Sequence, residues 1–121
     1  MNKIGSYFNV ADNTGVKQIL CVGLLKSKKK SIKIGDFLVG IVKNTKNTKH
    51  FKKSTIVKAI VIRLKVPLKL KTGWSIKFTD NAVVLVDNNL NPLGTRVFGY
   101  VPKILKKKNY FKLISIVKDF I

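Results

Sequence analysis

Short apolar runs rich in β-branched residues recur along this chain, separated by turns built from Asn, Asp or Gly or by lysine-rich connections. Such punctuation suits strands and leaves no room for long helices. Residues 4–10 and 16–25 read as strands around the turn Ala11-Asp12-Asn13-Thr14-Gly15, whose Asx and Gly residues tolerate left-handed backbone. Residues 26–33 form a basic connection, Ile34-Gly35-Asp36 a second turn, and 37–42 the next strand. Residues 56–63 are a strongly β-branched strand. Pro67 and Gly73 bracket a lysine-bearing loop. Residues 75–78 and 82–86 read as a hairpin around Thr79-Asp80-Asn81, and 87–91 as a turn cluster. Residues 94–101 read as extended. In the last stretch, Ile104, Leu105, Phe111, Leu113, Ile114 and Val117 suit one or two short helices after Pro102. Regular short strands favour a closed barrel over a parallel sheet. No composition break marks a second domain, so residues 1–121 are expected to form one domain. The barrel would occupy about 1–101 and a helical part about 102–121.

Charge is the second constraint. There are 25 Lys plus Arg against 5 Asp and no Glu, a formal net charge of +20. Like charges strain a compact domain unless a polyanion neutralises them. RNA and DNA supply that charge, and each neutralised phosphate releases a counterion. An anionic membrane surface is the other class of partner. The apolar stretches at 19–25 and 82–86 are far too short to span a bilayer, and no membrane partner is expected. Arg63 and Arg96 are the only arginines. Lys, Asn, Ile and Phe have AT-rich codons, which points to an AT-rich genome. Glu codons tolerate the same bias, so the absence of Glu indicates selection for positive charge.

Catalytic chemistry finds no constellation. His50, the single histidine, lies among lysines with no carboxylate nearby to orient it as a base. Cys21, the single cysteine, sits in an apolar strand and reads as a buried, inert thiol; no internal disulfide and no cysteine-rich zinc site can form. Asp12, Asp36, Asp80 and Asp87 sit beside Asn or Gly in turns, where Asx side chains bond local backbone. No enzyme activity, cofactor or metal is expected. No apolar leader or arginine-rich transit helix precedes the first motif. The chain is therefore expected to work where it is made, or to have lost its import signal.

Four basic clusters carry the functional signal: Lys28, Lys29, Lys30 and Lys33; Lys43, Lys46, Lys49, Lys52 and Lys53; Lys65, Lys69 and Lys71; and Lys106, Lys107, Lys108 and Lys112. The first three fall on expected loops. Residues 43–54, with a tandem Lys-Asn-Thr repeat and no core pattern, read as an arm or a hairpin tip. Lysine is a mobile point charge that suits phosphate contact more than base readout. Aromatics form no stacking stripe: Phe8, Phe37, Phe78 and Phe98 read as core, and Trp74 as exposed. That weakens a free single-strand binder of the barrel type, which remains the alternative.

Read in order, the motifs resemble those of a known set. They are Asn9-Val10-Ala11-Asp12-Asn13-Thr14-Gly15 with Cys21 following, Ile34-Gly35-Asp36, and Val57-Lys58-Ala59-Ile60-Val61-Ile62-Arg63. Phe78-Thr79-Asp80-Asn81-Ala82-Val83-Val84-Leu85, Leu93-Gly94-Thr95-Arg96-Val97-Phe98-Gly99 and Phe111-Lys112-Leu113-Ile114-Ser115-Ile116 complete the series. Together they resemble the universal ribosomal large-subunit protein family L-fourteen, from residue 9 to about 117. The chain departs from that pattern at Thr72-Gly73 and the lysines before it, at Ser54-Thr55, at Tyr100 and at Val117-Lys118-Asp119.

The resemblance implies a mainly β fold: a small closed five-stranded β-barrel with a protruding β-ribbon and a short C-terminal helical part. It implies a structural role at the subunit interface, with an intersubunit bridge. The implied partners are large-subunit rRNA, small-subunit rRNA across the interface, neighbouring large-subunit ribosomal proteins, and an assembly or silencing factor. The residues expected to face rRNA are Asn13, Lys17, Lys28, Lys29, Lys30, Lys46, Lys49, Lys52, Lys53, Arg63, Lys69 and Lys71. Thr95, Arg96 and Lys112 match the family's protein-contacting surface. The AT-biased, lysine-rich composition is taken to indicate an organelle-encoded copy, in a mitochondrion before a plastid or an AT-rich bacterium.

Overall fold

A computed structural model describes residues 2–3, 5–24, 31–46, 51–107 and 110–121. Its elements run β1 (Asn2–Lys3), β2 (Tyr7–Val10), β3 (Val16–Leu24), β4 (Ser31–Ile32), β5 (Phe37–Thr45) and β6 (Ile56–Arg63). Then come β7 (Leu68–Lys69), β8 (Ser75–Ile76), β9 (Ala82–Val86) and β10 (Tyr100–Val101). A 3₁₀ helix (Lys103–Lys107), α1 (Phe111–Ile116) and β11 (Asp119–Phe120) complete the chain. Strands β2, β3, β5, β6 and β9 close into a barrel in that order. Neighbours are antiparallel except at the closure, where β2 runs parallel to β9 through Asn9↔Ala82 and Val10↔Val83.

Alternation along the strands fills the barrel. Phe8, Ile19, Cys21, Leu38, Val42, Val57, Ala59, Val61, Val83 and Leu85 point inward and are buried. Each fully buried Leu, Ile or Phe contributes about 1.5–3 kcal/mol of transfer free energy. Register shifts in β3 bend it around so small a barrel. Gly40 permits the close approach of β5 to β3, since a Cβ there would lie 2.8 Å from Ile19 Cδ1.

A second core lies outside the barrel wall. Ile60, Ile62, Ala82, Val84 and Val86, on the outer faces of β6 and β9, pack against Val97, Val101, Leu105, Leu113 and Val117. These two strands are thus buried on both faces, which explains why they read as unbroken apolar runs. Helix α1 has no side-chain N-cap bond and no acidic first turn. With little local stabilisation it depends on packing: Leu113 is fully buried, and the preceding Tyr110 donates its hydroxyl to the Gly35 carbonyl at 2.7 Å.

Several sequence expectations need correction. Residues 75–78 and 82–86 do not form a hairpin: β8 pairs with β7 (Leu68↔Ile76, Lys69↔Ser75), while β9 pairs with β6 and β2. A strand buried on both faces needs neighbours on both edges, and β6 and β2 supply them. The arm starts later than residue 43, because β5 continues to Thr45 opposite Val16. The tail does not end as helix: β11 returns to pair in parallel with β10. Phe98 is not core, being 51% exposed.

Candidate nucleic-acid interface

The register sorts the connections onto two ends of the barrel. At the first end lie the turn after β2, Lys46 and residues 51–55 between β5 and β6, and the 87–91 turn. At the opposite end lie the Gly35-Asp36 turn, the residues that follow Arg63, the β7–β8 ribbon and Thr79–Asn81. Both ends are basic. The first carries exposed Lys46, Lys52 and Lys53, with exposed Lys17 just inside β3. Lys46 donates its backbone N–H to the Gly15 carbonyl at 2.7 Å, which sets the base of the arm beside the first turn. The opposite end carries exposed Lys33, Lys65, Lys69 and Lys71. Lys28, Lys29, Lys30, Lys49 and His50 lie outside the described residues.

Asp12, Asp36, Asp80 and Asp87 each make bonds within the protein, and 5 carboxylates in all are too few to offset 25 basic side chains. Asp12 accepts from the Thr14 N–H at 3.2 Å, the Thr14 hydroxyl at 2.6 Å and the Leu85 N–H at 3.0 Å. Burial pushes its carboxyl above the usual carboxylate range, and these three bonds oppose that shift. Asp36 accepts from the Lys33 N–H at 2.7 Å, and Asp87 from the N–H groups of Asn89 and Asn91. Asp80 pairs with Arg63 at 3.1 Å. Among the described residues no three of His, Cys, Asp and Glu gather to hold a metal ion. Burial also pushes the Cys21 thiol up, in keeping with an inert core cysteine.

Two expected rRNA-facing residues sit differently from the lysines. Arg63 is buried, 9% exposed. Its Nε reaches Asp80, and its Nη1 donates to the Phe98 carbonyl at 2.7 Å and the Tyr100 carbonyl at 3.1 Å. Asn13 is exposed but ties the first turn to the late motif. Its Oδ1 accepts from the N–H groups of Thr95 (2.8 Å) and Arg96 (3.2 Å), and its Nδ2 donates to the Thr95 hydroxyl at 2.8 Å. Gly94 makes room for this link, since a Cβ there would stand 2.6 Å from Asn13 Oδ1. No local pattern could have revealed a bond across 82 residues of sequence.

Thr95 and Arg96 are exposed and line a concavity of about 240 Å³ with Phe98, Ile116 and Lys118. Lys112 is exposed on α1 and is not part of that lining. Thr95 and Arg96 are thus brought together beside the end of α1, and Lys112 lies outside that concavity.

Comparison with known proteins gives two findings. The family described as Ribosomal protein L14p/L23e matches residues 1–121. A protein named large ribosomal subunit protein uL14c, from Eimeria tenella, is 54% identical over 121 residues, covering 100% of both chains. That relative is a plastid protein, which overturns the mitochondrial assignment drawn from composition and points to a plastid. Codon bias reports the nucleotide content of a genome and carries no information on which organelle holds it.

Proposed function

Because this chain belongs to the ribosomal protein L14p/L23e family, and is a structural rather than catalytic protein of the large ribosomal subunit, we propose that it clamps folded large-subunit rRNA with lysines at both barrel ends. The carrying observation is the division of charge: exposed lysines on both sets of connections, with Asp12, Asp36, Asp80 and Asp87 engaged inside the protein. A rigid closed barrel fixes the spacing between those two basic ends. Folded RNA, with phosphates at defined separations, is what such a spacing fits. Lys17, Lys46, Lys52, Lys53, Lys69 and Lys71 are assigned to phosphates, as are Lys28, Lys29, Lys30 and Lys49 on the sequence argument alone. Neighbouring ribosomal proteins follow from membership of the subunit. The finer assignments are that Thr95, Arg96 and Lys112 meet a protein neighbour or an assembly factor, and that one basic end reaches small-subunit rRNA.

Sedimentation of native organelle extract on a sucrose gradient tests the core of this reading. Co-migration with large subunits through a salt wash is expected; recovery only in light fractions would leave a free single-strand binder as the better description. For the lysine assignment, replacing Lys28, Lys29 and Lys30 together by alanine should reduce the slope of log affinity against log salt by about 2–3, in line with about 0.7–0.9 per phosphate contact. An unchanged slope removes those lysines from the phosphate contacts. Crosslinks from Thr95, Arg96 and Lys112 to rRNA alone would count against a protein contact there.

A further inference from the structure

The ribbon of β7 and β8 has a defined tip. Gly73 donates its N–H to the Leu70 carbonyl at 3.1 Å, and Leu70 donates its N–H to the Trp74 carbonyl at 2.8 Å. Gly73 takes φ 89°, so the tip is a three-residue loop ending in a left-handed glycine. This loop sets the register of the ribbon. Leu70 stands opposite Trp74, Lys69 opposite Ser75 and Leu68 opposite Ile76. Side chains alternate along a strand, so Leu68, Leu70, Trp74 and Ile76 share one face of the ribbon, and Lys69, Ser75 and Lys77 the other.

Trp74, the single tryptophan of the chain, is 76% exposed at this tip. The three aliphatic residues beside it are half-buried, whereas the indole projects beyond them. Burying an aromatic of this size is worth several kcal/mol, and the fold leaves that gain unused. The charge around the indole limits what can cover it. Lys71 is exposed in the same tip loop, Lys69 and Lys77 are exposed on the ribbon's other face, and residues 64–79 contain no carboxylate. A protein surface would have to be acidic throughout to sit there. An RNA strand offers both needed elements at once, a flat π-face for the indole and an adjacent phosphate for the lysine beside it in the tip loop.

We propose that Trp74 is a stacking site for a single unpaired nucleobase of RNA, with Lys71 of the same tip loop holding an adjacent phosphate. The site extends the clamp described above and rests on the chain being an RNA binder. Its contribution differs in kind from that of the lysines: stacking survives added salt, whereas phosphate pairing does not. The ribbon would read the presence of an unstacked base and not its identity, because every base has a π-face.

The full-length protein supplies its own probe, since all tryptophan emission comes from Trp74. Emission is followed during titration with a fluorescein-labelled oligoadenylate and with a blunt RNA duplex of equal length, and binding is read separately from label anisotropy. Strong quenching by oligoadenylate and weak quenching by the duplex are expected. Trp74→Leu should weaken oligoadenylate binding about 10-fold with an unchanged salt slope, and Trp74→Phe should recover part of the loss. The thermal midpoint of both variants should stay put, because the indole is exposed. Binding by anisotropy without quenching would overturn the stacking site and leave the RNA-binding role intact. No binding to either RNA would overturn both. An emission shift on anionic phospholipid vesicles, with none on RNA, would also overturn the proposal and assign the tip to a membrane surface.

Discussion

Arg63→Ala is expected to destabilise the protein by about 3 kcal/mol, read as a lower urea midpoint with an unchanged slope. From the end of β6 the guanidinium bonds at once to the Asp80 turn before β9 and to the carbonyls of Phe98 and Tyr100. Its side chain is 10% exposed and that of Asp80 31%, so the variant leaves one partly buried carboxylate and two carbonyls without their donor. The pair is incompletely buried, and the cost therefore lies at the low end for a broken buried ion pair. Arg63→Lys should recover little, because an ammonium cannot serve Asp80 and two carbonyls along fixed directions. Gly99 belongs to the same device: it takes φ 80°, and a Cβ there would stand 2.6 Å from Arg63 Nη1. A loss below about 1 kcal/mol would show that the 98–100 segment holds its place without the arginine. A loss of RNA binding by folded Arg63→Ala would reveal a direct RNA contact in addition to these bonds.

Asp12→Ala should cost about 3 kcal/mol for a different reason. The Asp12 carboxylate is 5% exposed and is the acceptor for the Leu85 N–H of β9 as well as for Thr14. Its removal leaves the buried Leu85 N–H without this acceptor at the point where the first turn meets the closing strand. Asp12→Asn keeps one acceptor oxygen and should cost less. The pH dependence follows from the raised carboxyl. The native state holds the proton more tightly than the unfolded chain, whose value is near 3.8. Stability from this group is therefore greatest below that value. It declines as pH rises through the raised folded value, and is level above it. The stability of the wild type relative to Asp12→Asn should accordingly shrink from acid to neutral pH. A gap that instead widens would mean that the three hydrogen bonds outweigh burial.

Residues 56–63 were legible in the sequence as the strand they form, because a β-branched run buried on both faces carries a strong local signal. The turn at Ala11–Gly15 was legible for a similar reason, in its Asx and Gly residues. Pairing partners were not: Thr79-Asp80-Asn81 has the composition of a hairpin turn, yet its flanking strands belong to different sheets. Sheet neighbours are chosen by long-range burial, which no window of sequence contains. The same limit applies at the candidate interface. Exposed lysines follow from composition, whereas the inward use of Arg63 and the Asn13–Thr95 link depend on chain segments brought together only by closure. Ser54 and Leu90, at φ 68° and 64°, mark turns where no glycine announced a left-handed residue.

Closure of the barrel between β2 and β9 has a consequence for synthesis of the chain. Strand β2 cannot acquire its second neighbour until β9 has left the ribosome making it, so its outer edge stays open through the synthesis of β3, β5 and β6. Non-local pairing of this kind is slow to form, and the waiting edge is a hazard that charge repulsion between crowded nascent chains reduces. Cys21, fully buried once the barrel shuts, is open to a thiol reagent only before that moment, and so timestamps the passage from tethered hairpin to finished protein.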